Sequence, residues 1–352
     1  MKTLEETLSE YDYDFAPEMI AQEPASPRDS AKLLAYEKKT GKVNFDTFAN
    51  IGKYLPKGAV LVLNDTKVFP ARLHVKKKTG GRVEVFYLGE KDGNISALTN
   101  HFLEVGEKVF LTEKIWLECL GKEDKIYTLK PSFPIADLQK VFQKYGETPI
   151  PPYIKNSPLS EKELRGKYQT VFAKKRGSVA APTASLHFTD RLLAKLKKQG
   201  IQIEFVTLHV NLGTFAPLTE EAIKNGKLHK EWYEVPEKTA KALLKAKKEG
   251  RPIIAVGTTA VRTLESYTGL PCEKHRVVLC KECRNGETQL FIRPGYEFKF
   301  VDGMVTNFHV PKSSLLMLVA SFVGREKLFE LYAEAMKKDF RLFSFGDGML
   351  LY

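Results

Sequence analysis

Three histidines stand where the surrounding residues call for burial: His187 in Leu186-His187-Phe188, His209 in Leu208-His209-Val210 and His309 in Phe308-His309-Val310. An imidazole removed from water needs a hydrogen-bond partner, and it titrates near enough to neutrality to serve as base, acid or donor. Each alone also fits a satisfied core histidine, but three of the seven in such company point to a shared polar pocket. A second constellation is Ala255-Val-Gly-Thr-Thr-Ala-Val-Arg-Thr-Leu-Glu-Ser266, which reads as a strand, a tight glycine turn and a helix start. That order sets backbone N–H groups and the hydroxyls of Thr258 and Thr259 at the carboxyl end of a strand, where open α/β sheets bind ligands. An ordinary capped turn fits the same residues.

The generic chemical motifs are missing. There is no GxGxxG, Walker loop, GxSxG or HExxH, which removes the usual signs of Rossmann cofactors, nucleotide hydrolysis and zincin chemistry. Cys272-x-x-His275 and Cys280-x-x-Cys283 supply zinc-ligand types. However, Asn285-Gly286 reads as a hairpin turn, and positions three apart on a strand face opposite ways. No metal is therefore expected.

These residues need elements to position them. From Lys57 to Pro131 the sequence is β in texture, with short runs at Gly58–Leu63, Ala71–Lys76, Arg82–Tyr87, Asn94–Leu98, Lys108–Leu120 and Lys125–Leu129. Glycines punctuate them at strand-and-turn spacing, as in a small barrel or sandwich. Pro149, Pro151, Pro152 and Pro158 mark a linker. Beyond it helices and strands alternate: a helix capped by Thr189 and closed by Gly200, a strand over Ile201–Val210, a helix over Pro236–Glu249, and a strand over Pro252–Val256. Leu315–Phe322 predicts a buried helix and Glu326–Lys338 an amphipathic one. The fold class is α/β: a mixed sheet with flanking helices plus an inserted small β-barrel domain. The predicted division is a main domain of residues 1–63 and 150–352, with the barrel-like insert at 64–149.

The chain has 352 residues, 43% of them hydrophobic and 28% charged, which excludes a disordered, collagen-like or simple coiled-coil protein. The four cysteines are too few for a secreted disulfide framework, and the acidic start Met1-Lys-Thr-Leu-Glu-Glu6 lacks the apolar core of a signal peptide. A cytoplasmic protein without a membrane partner is expected. The net charge is +12, although residues 1–50 carry six bases against ten acids. Seven bases and one acid lie between Thr170 and Gly200, among them Lys174, Lys175 and Arg176. Such an excess suits a polyanion, because each neutralised phosphate releases a counterion, and it equally suits a solvated lysine-rich surface.

The chain resembles the S-adenosylmethionine:tRNA ribosyltransferase-isomerases of queuosine biosynthesis. The blocks that carry the resemblance include Asn64-Asp-Thr-Lys-Val-Phe-Pro-Ala-Arg-Leu73, Thr79-Gly-Gly-Arg-Val-Glu-Val85, Pro151-Pro-Tyr-Ile154 and Tyr168-Gln-Thr-Val171. They continue through Val179–Thr189, Val206-Thr-Leu-His-Val210, His229-Lys-Glu-Trp-Tyr233, Ala255–Ser266, Thr306-Asn-Phe-His309 and Phe343-Ser-Phe-Gly-Asp347. Departures are few: Ser185 stands where the family has glycine, Asn211-Leu212 where it has Gly-Ala, and the cysteine cluster lies outside its pattern.

The resemblance implies an α/β domain with a β-barrel domain, and transfer of the ribosyl part of S-adenosylmethionine to tRNA. The acceptor it implies is the aminomethyl group of 7-aminomethyl-7-deazaguanine at the wobble position. The ribosyl is rearranged to an epoxycyclopentanediol, giving epoxyqueuosine and releasing adenine and methionine. S-adenosylmethionine is a co-substrate in this scheme, and a monomer is expected. The candidates for proton transfer are then His309, His187 and His209, with Asp65 beside them. Thr258, Thr259, Arg262 and Asn307 are candidates for holding the donor, Arg262 through its carboxylate or a phosphate. Asn64, Arg72, Tyr168, Gln169, Thr183, Lys174, Lys175 and Arg176 are candidates for the tRNA side. Two other classes share part of the signal. A non-catalytic RNA-binding protein would need only the basic surface, and an ordinary methyltransferase would need a glycine-rich loop that this chain lacks.

Overall fold

The computed structural model describes residues 3–211, 218–268 and 284–352. The core of the chain is a sheet with nine strands among the described residues. From edge to edge these are Asn285–Leu290, Lys227–Glu234, Gln202–Leu208, Val60–Asn64, Ile253–Val256, Gly303–Asn307, Gly348–Leu351, Lys32–Glu37 and Lys42–Thr47. The four consecutive strands from Gln202–Leu208 to Gly303–Asn307 run parallel, so their carboxyl ends share one edge. The flanking pairs include antiparallel ones, which makes the sheet mixed. Successive side chains of a strand leave on opposite faces. Val60 and Val62 enter the core under the helices Glu237–Lys248, Thr258–Thr268, Ser314–Val323 and Arg325–Met336. Leu61 and Leu63 enter the core under the helix Asp190–Lys198. Burial on both faces explains why these strands read as unbroken apolar runs.

The β-rich stretch forms a closed barrel, in the order Ile126–Pro131, Asn94–Thr99, Arg82–Lys91, Arg72–Lys77, Lys108–Phe110 and Trp116–Glu123. The run expected as one strand over Lys108–Leu120 is two, because the chain turns between Leu111 and Ile115 through their backbone hydrogen bond of 2.8 Å. Leu73, Val75, Val83, Val85, Ile95, Ala97, Leu117 and Leu129 fill the interior, and Phe142 of the helix Leu138–Tyr145 packs against it. Between the central strand and the barrel, Thr66–Val68 pairs in parallel with Lys175–Ser178. That pairing ties the basic segment to the root of the barrel.

A second local expectation is overturned. Asn285-Gly286 is not a hairpin turn: both residues lie in a strand, facing Glu234 and Tyr233 across an antiparallel pair. The local turn preference yields to the ladder offered by Lys227–Glu234. Cys272, His275, Cys280 and Cys283 lie outside the described residues, and Cys119 is buried in the barrel. Among the described residues, no three His, Cys, Asp or Glu side chains gather as metal ligands, and no helix is long and apolar enough to cross a membrane.

Candidate active site

A cleft opens where the parallel strands end. Its walls are the loop Ala180–Ala184, Val210 after one strand, Gly257–Thr259 after the next, and Thr306–Val310 at the end of a third. Pro151, Tyr153, Phe343 and Ser344 close it from the far side. This is the position where α/β sheets take ligands, because neighbouring loops diverge there. The turn into the helix Thr258–Thr268 depends on Gly257, whose φ of 84° is costly for any residue with a Cβ.

The three histidines do not converge. Only His309 lines the cleft. Its Nε2 lies 2.7 Å from Thr306 Oγ1, and its backbone is held at both ends: the N–H donates to Tyr332 Oη at 2.8 Å, and the carbonyl accepts from Tyr13 Oη at 2.6 Å. Loss of hydration pushes its imidazole down to about 4, so the ring is neutral at pH 7 and one of its nitrogens carries no proton. His187 is buried behind the wall. Its ring packs on Phe48, and its Nε2 lies 3.4 Å from the Nδ2 of Asn307, which lines the cleft. Burial first, then the nearby Arg341 charge, push His187 to about 4. His209 sits elsewhere, stacked on Trp232 with its Nδ1 2.8 Å from Thr66 Oγ1. Gly177 lies against that ring, so closely that a Cβ there would come within 2.8 Å of it. Burial and then Lys175 lower the pKa of His209.

Thr258, Thr259, Arg262 and Asn307 do come together in the cleft. Thr183 joins them by donating its hydroxyl to Asn307 Oδ1 at 2.8 Å. Asn64 is fully buried and is not among the residues that line the cleft. Its Nδ2 donates to Leu208 O and Thr259 Oγ1, and its Oδ1 accepts from the N–H groups of Thr66 and Leu208. It therefore positions Thr259 from behind. Asp65 is likewise committed, accepting from Thr207 Oγ1 at 2.6 Å, with burial raising its pKa. Arg72 lies at the barrel root, donating to Ile150 O and standing 3.5 Å from Glu84. Gln169 uses both ends of its amide on the backbone of Val68. Tyr168 is buried and is the common wall between the cleft and a cavity lined by Lys67, Gln143, Arg165 and Gln169. In the basic segment Lys174 and Arg176 are exposed, whereas Lys175 is paired with Glu234.

Several wall residues escape notice in the sequence. Tyr153 belongs to a proline-rich stretch that reads as linker, yet its hydroxyl meets Ser344 Oγ at 2.5 Å inside the cleft. Phe343 adopts a φ of 69°, which is unfavourable for a bulky side chain and typical of a residue whose surroundings dictate its backbone. The buried carboxylate of Asp347 helps to hold this loop by accepting from the N–H groups of Lys32 and Arg341. Glu231 pairs with Arg262 in the interior. Its only trace in the sequence is a charged residue alternating with aromatics in His229-Lys-Glu-Trp-Tyr233.

Comparison with known proteins agrees over the length of the chain. The family model described as queuosine biosynthesis protein matches residues 8–351. A protein of Thermotoga maritima is 46% identical over 348 residues, covering 98% of this chain and 99% of the relative, and is named S-adenosylmethionine:tRNA ribosyltransferase-isomerase. A relative from Caldanaerobacter subterraneus bears the same name at 42% identity, covering 97% of this chain and 99% of its own. The crystal structure of the S-adenosylmethionine tRNA ribosyltransferase from Thermotoga maritima superposes with a TM-score of 0.55 at 36% identity, over 97% of this chain and 100% of that one.

Proposed function

The chain belongs to the queuosine biosynthesis family and is an enzyme of that pathway; from that premise we propose that it moves the ribosyl group of S-adenosylmethionine onto tRNA in the cytoplasm. The acceptor is the aminomethyl group of 7-aminomethyl-7-deazaguanine at the wobble position. The products are epoxyqueuosine-bearing tRNA, adenine and methionine. The observation that supports this reading best is His309. Among the described lining residues of the cleft it is the one imidazole, and no carboxylate lines the cleft beside it.

A sulfonium acidifies the adjacent ribose C5′–H, so a neutral imidazole held away from water can take that proton. Thr306 fixes the ring, while Tyr13 and Tyr332 fix the backbone that carries it. The imidazolium then gives that proton to the departing adenine, the acceptor amine attacks the ribosyl carbon and loses a proton to solvent, and cleavage of the C–S bond releases methionine. Thr258, Thr259, Asn307 and Arg262 hold the donor, with Asn64 and His187 supporting them from behind. Tyr168 and Thr183 border the acceptor side, and Lys174 and Arg176 meet tRNA phosphates. Residues 64–149 act as an inserted unit beside that path. The test is the mass of the modified nucleoside together with free adenine. Addition of a cyclised ribosyl unit with one adenine per event supports the proposal. Addition of a methyl group, or no change, refutes it.

A further inference from the structure

Arg262 separates the cleft from a second, smaller cavity of about 20 Å³, to which Glu231, His229, Ser314, Phe291 and Leu318 contribute. That figure is the room left for the centres of water-sized groups, which admits a compact polar head group and excludes a nucleobase. Arg262 is 8% exposed and Glu231 2%. The guanidinium gives Nε to Leu290 O at 3.1 Å and Nη1 to Glu231 Oε2, but its Nη2 is buried with no partner among the described residues. Glu231 keeps its second oxygen on the N–H of Asn211 at 3.2 Å. A buried donor left unmade costs more than a made hydrogen bond returns. Here that donor sits on the wall shared by two cavities.

We propose that Arg262 and Glu231 form a receptor for a zwitterionic α-amino acid, the carboxylate taken by Arg262 Nη2 and the ammonium by Glu231. Resting on the function proposed above, this assigns the methionine end of the donor to the Arg262 wall, with its sulfur and ribose in the main cleft. The charge balance selects the occupant. A lone arginine would accept a phosphate, but the adjoining buried carboxylate repels a dianion and leaves a pair of zero net charge, which matches a zwitterion. The apolar flank of Leu315, common to both cavities, suits the two methylenes between the amino acid head and the sulfur.

The experiment is equilibrium titration of the full-length protein with free L-methionine, 3-methylthiopropylamine, 4-methylthiobutyrate and inorganic phosphate. The expected result is saturable L-methionine binding at least about tenfold tighter than that of any of the other three, since each analogue forfeits a charge-assisted contact. Arg262→Lys, checked by thermal melting, is expected to lose the preference for the carboxylate. If that variant does not fold, the comparison among ligands on the wild-type protein decides alone. L-methionine binding no better than either truncated analogue overturns the proposal, as does tighter binding of phosphate. So does an undiminished carboxylate preference in a folded Arg262→Lys protein. Selective L-methionine binding in a protein that releases no adenine with modified tRNA would support this receptor while refuting the reaction.

Discussion

The barrel and the carboxyl edge of the sheet treat buried polarity in opposite ways. Between Arg72 and Pro131 every fully buried residue is apolar, and the interior is a stack of aliphatic side chains. At the sheet edge Asn64, Thr258, Arg262, Thr306, Asn307 and His187 are all buried; Asn64 bonds to Thr259, and Asn307 lies within reach of His187. A buried polar group is costly unless satisfied. Its concentration at one edge coincides with the cleft proposed to carry the chemistry. The barrel spends its burial on stability, with charged residues facing solvent. Damage to the two regions should accordingly look different.

The largest expected effect is on the barrel side. Leu129→Ala removes a fully buried side chain and should cost about 2–5 kcal/mol in urea unfolding, while the turnover of the folded fraction stays at the wild-type value. Loss of turnover in that fraction would break the comparison. Next comes the acid sensitivity of the sheet edge. His187 titrates near 4 in the fold against an ordinary 6.5. Below pH 6.5 the unfolded chain takes up a proton that the folded chain refuses. Stability is therefore complete above 6.5 and falls towards pH 4, by up to about 3 kcal/mol for this residue. His309 acts in the same sense, and the raised pKa of the buried Asp65 and Asp347 carboxyls partly offsets both. Unfolding curves at pH 7.5 and 4.5 measure the fall, and His187→Asn should flatten it. An equal fall in that variant would remove His187 from the account.

Smaller effects sharpen the picture. Thr259→Val deletes the hydroxyl that Asn64 positions and should raise KM for the donor about tenfold with a lesser change in kcat. An unaltered KM would place the donor elsewhere. On the tRNA side, the slope of log Kd against log salt should flatten by about one unit for each of Lys174→Ala and Arg176→Ala. Lys175→Ala should change it less, because Glu234 already occupies that ammonium. Equal slopes for all three variants would return this segment to an ordinary solvated surface.

Much of the architecture was legible because it follows periodicity. The alternation of Leu73, Val75, Val83 and Val85 announces a barrel wall, and the strand, Gly257 and Thr258 order announces a ligand-binding turn. What failed was non-local. Asn285-Gly286 carries a turn signal, but a strand some fifty positions earlier overrides it. His187, His209 and His309 look alike in the sequence. Their partners are Asn307, Thr66 and Thr306, so they fall in three places rather than one pocket. Asn64, a candidate for the tRNA side at the junction into the β module, has its amide engaged in four hydrogen bonds within the protein, which sequence alone does not show. Only the fold reveals that Arg262 has one nitrogen without a partner among the described residues.

The proposed reaction depends on proton transfer by His309 in the cleft at the sheet's carboxyl edge. It is tested most directly by single-turnover release of adenine from S-adenosylmethionine, in the presence of tRNA bearing the aminomethyl-deazaguanine, by wild-type protein and by His309→Gln. Glutamine keeps a hydrogen bond to Thr306 but cannot take up a proton at neutral pH. Adenine release by the variant should be slowed about a hundredfold or more, with donor affinity within about threefold of wild type. Release at the wild-type rate by a folded His309→Gln protein would contradict it.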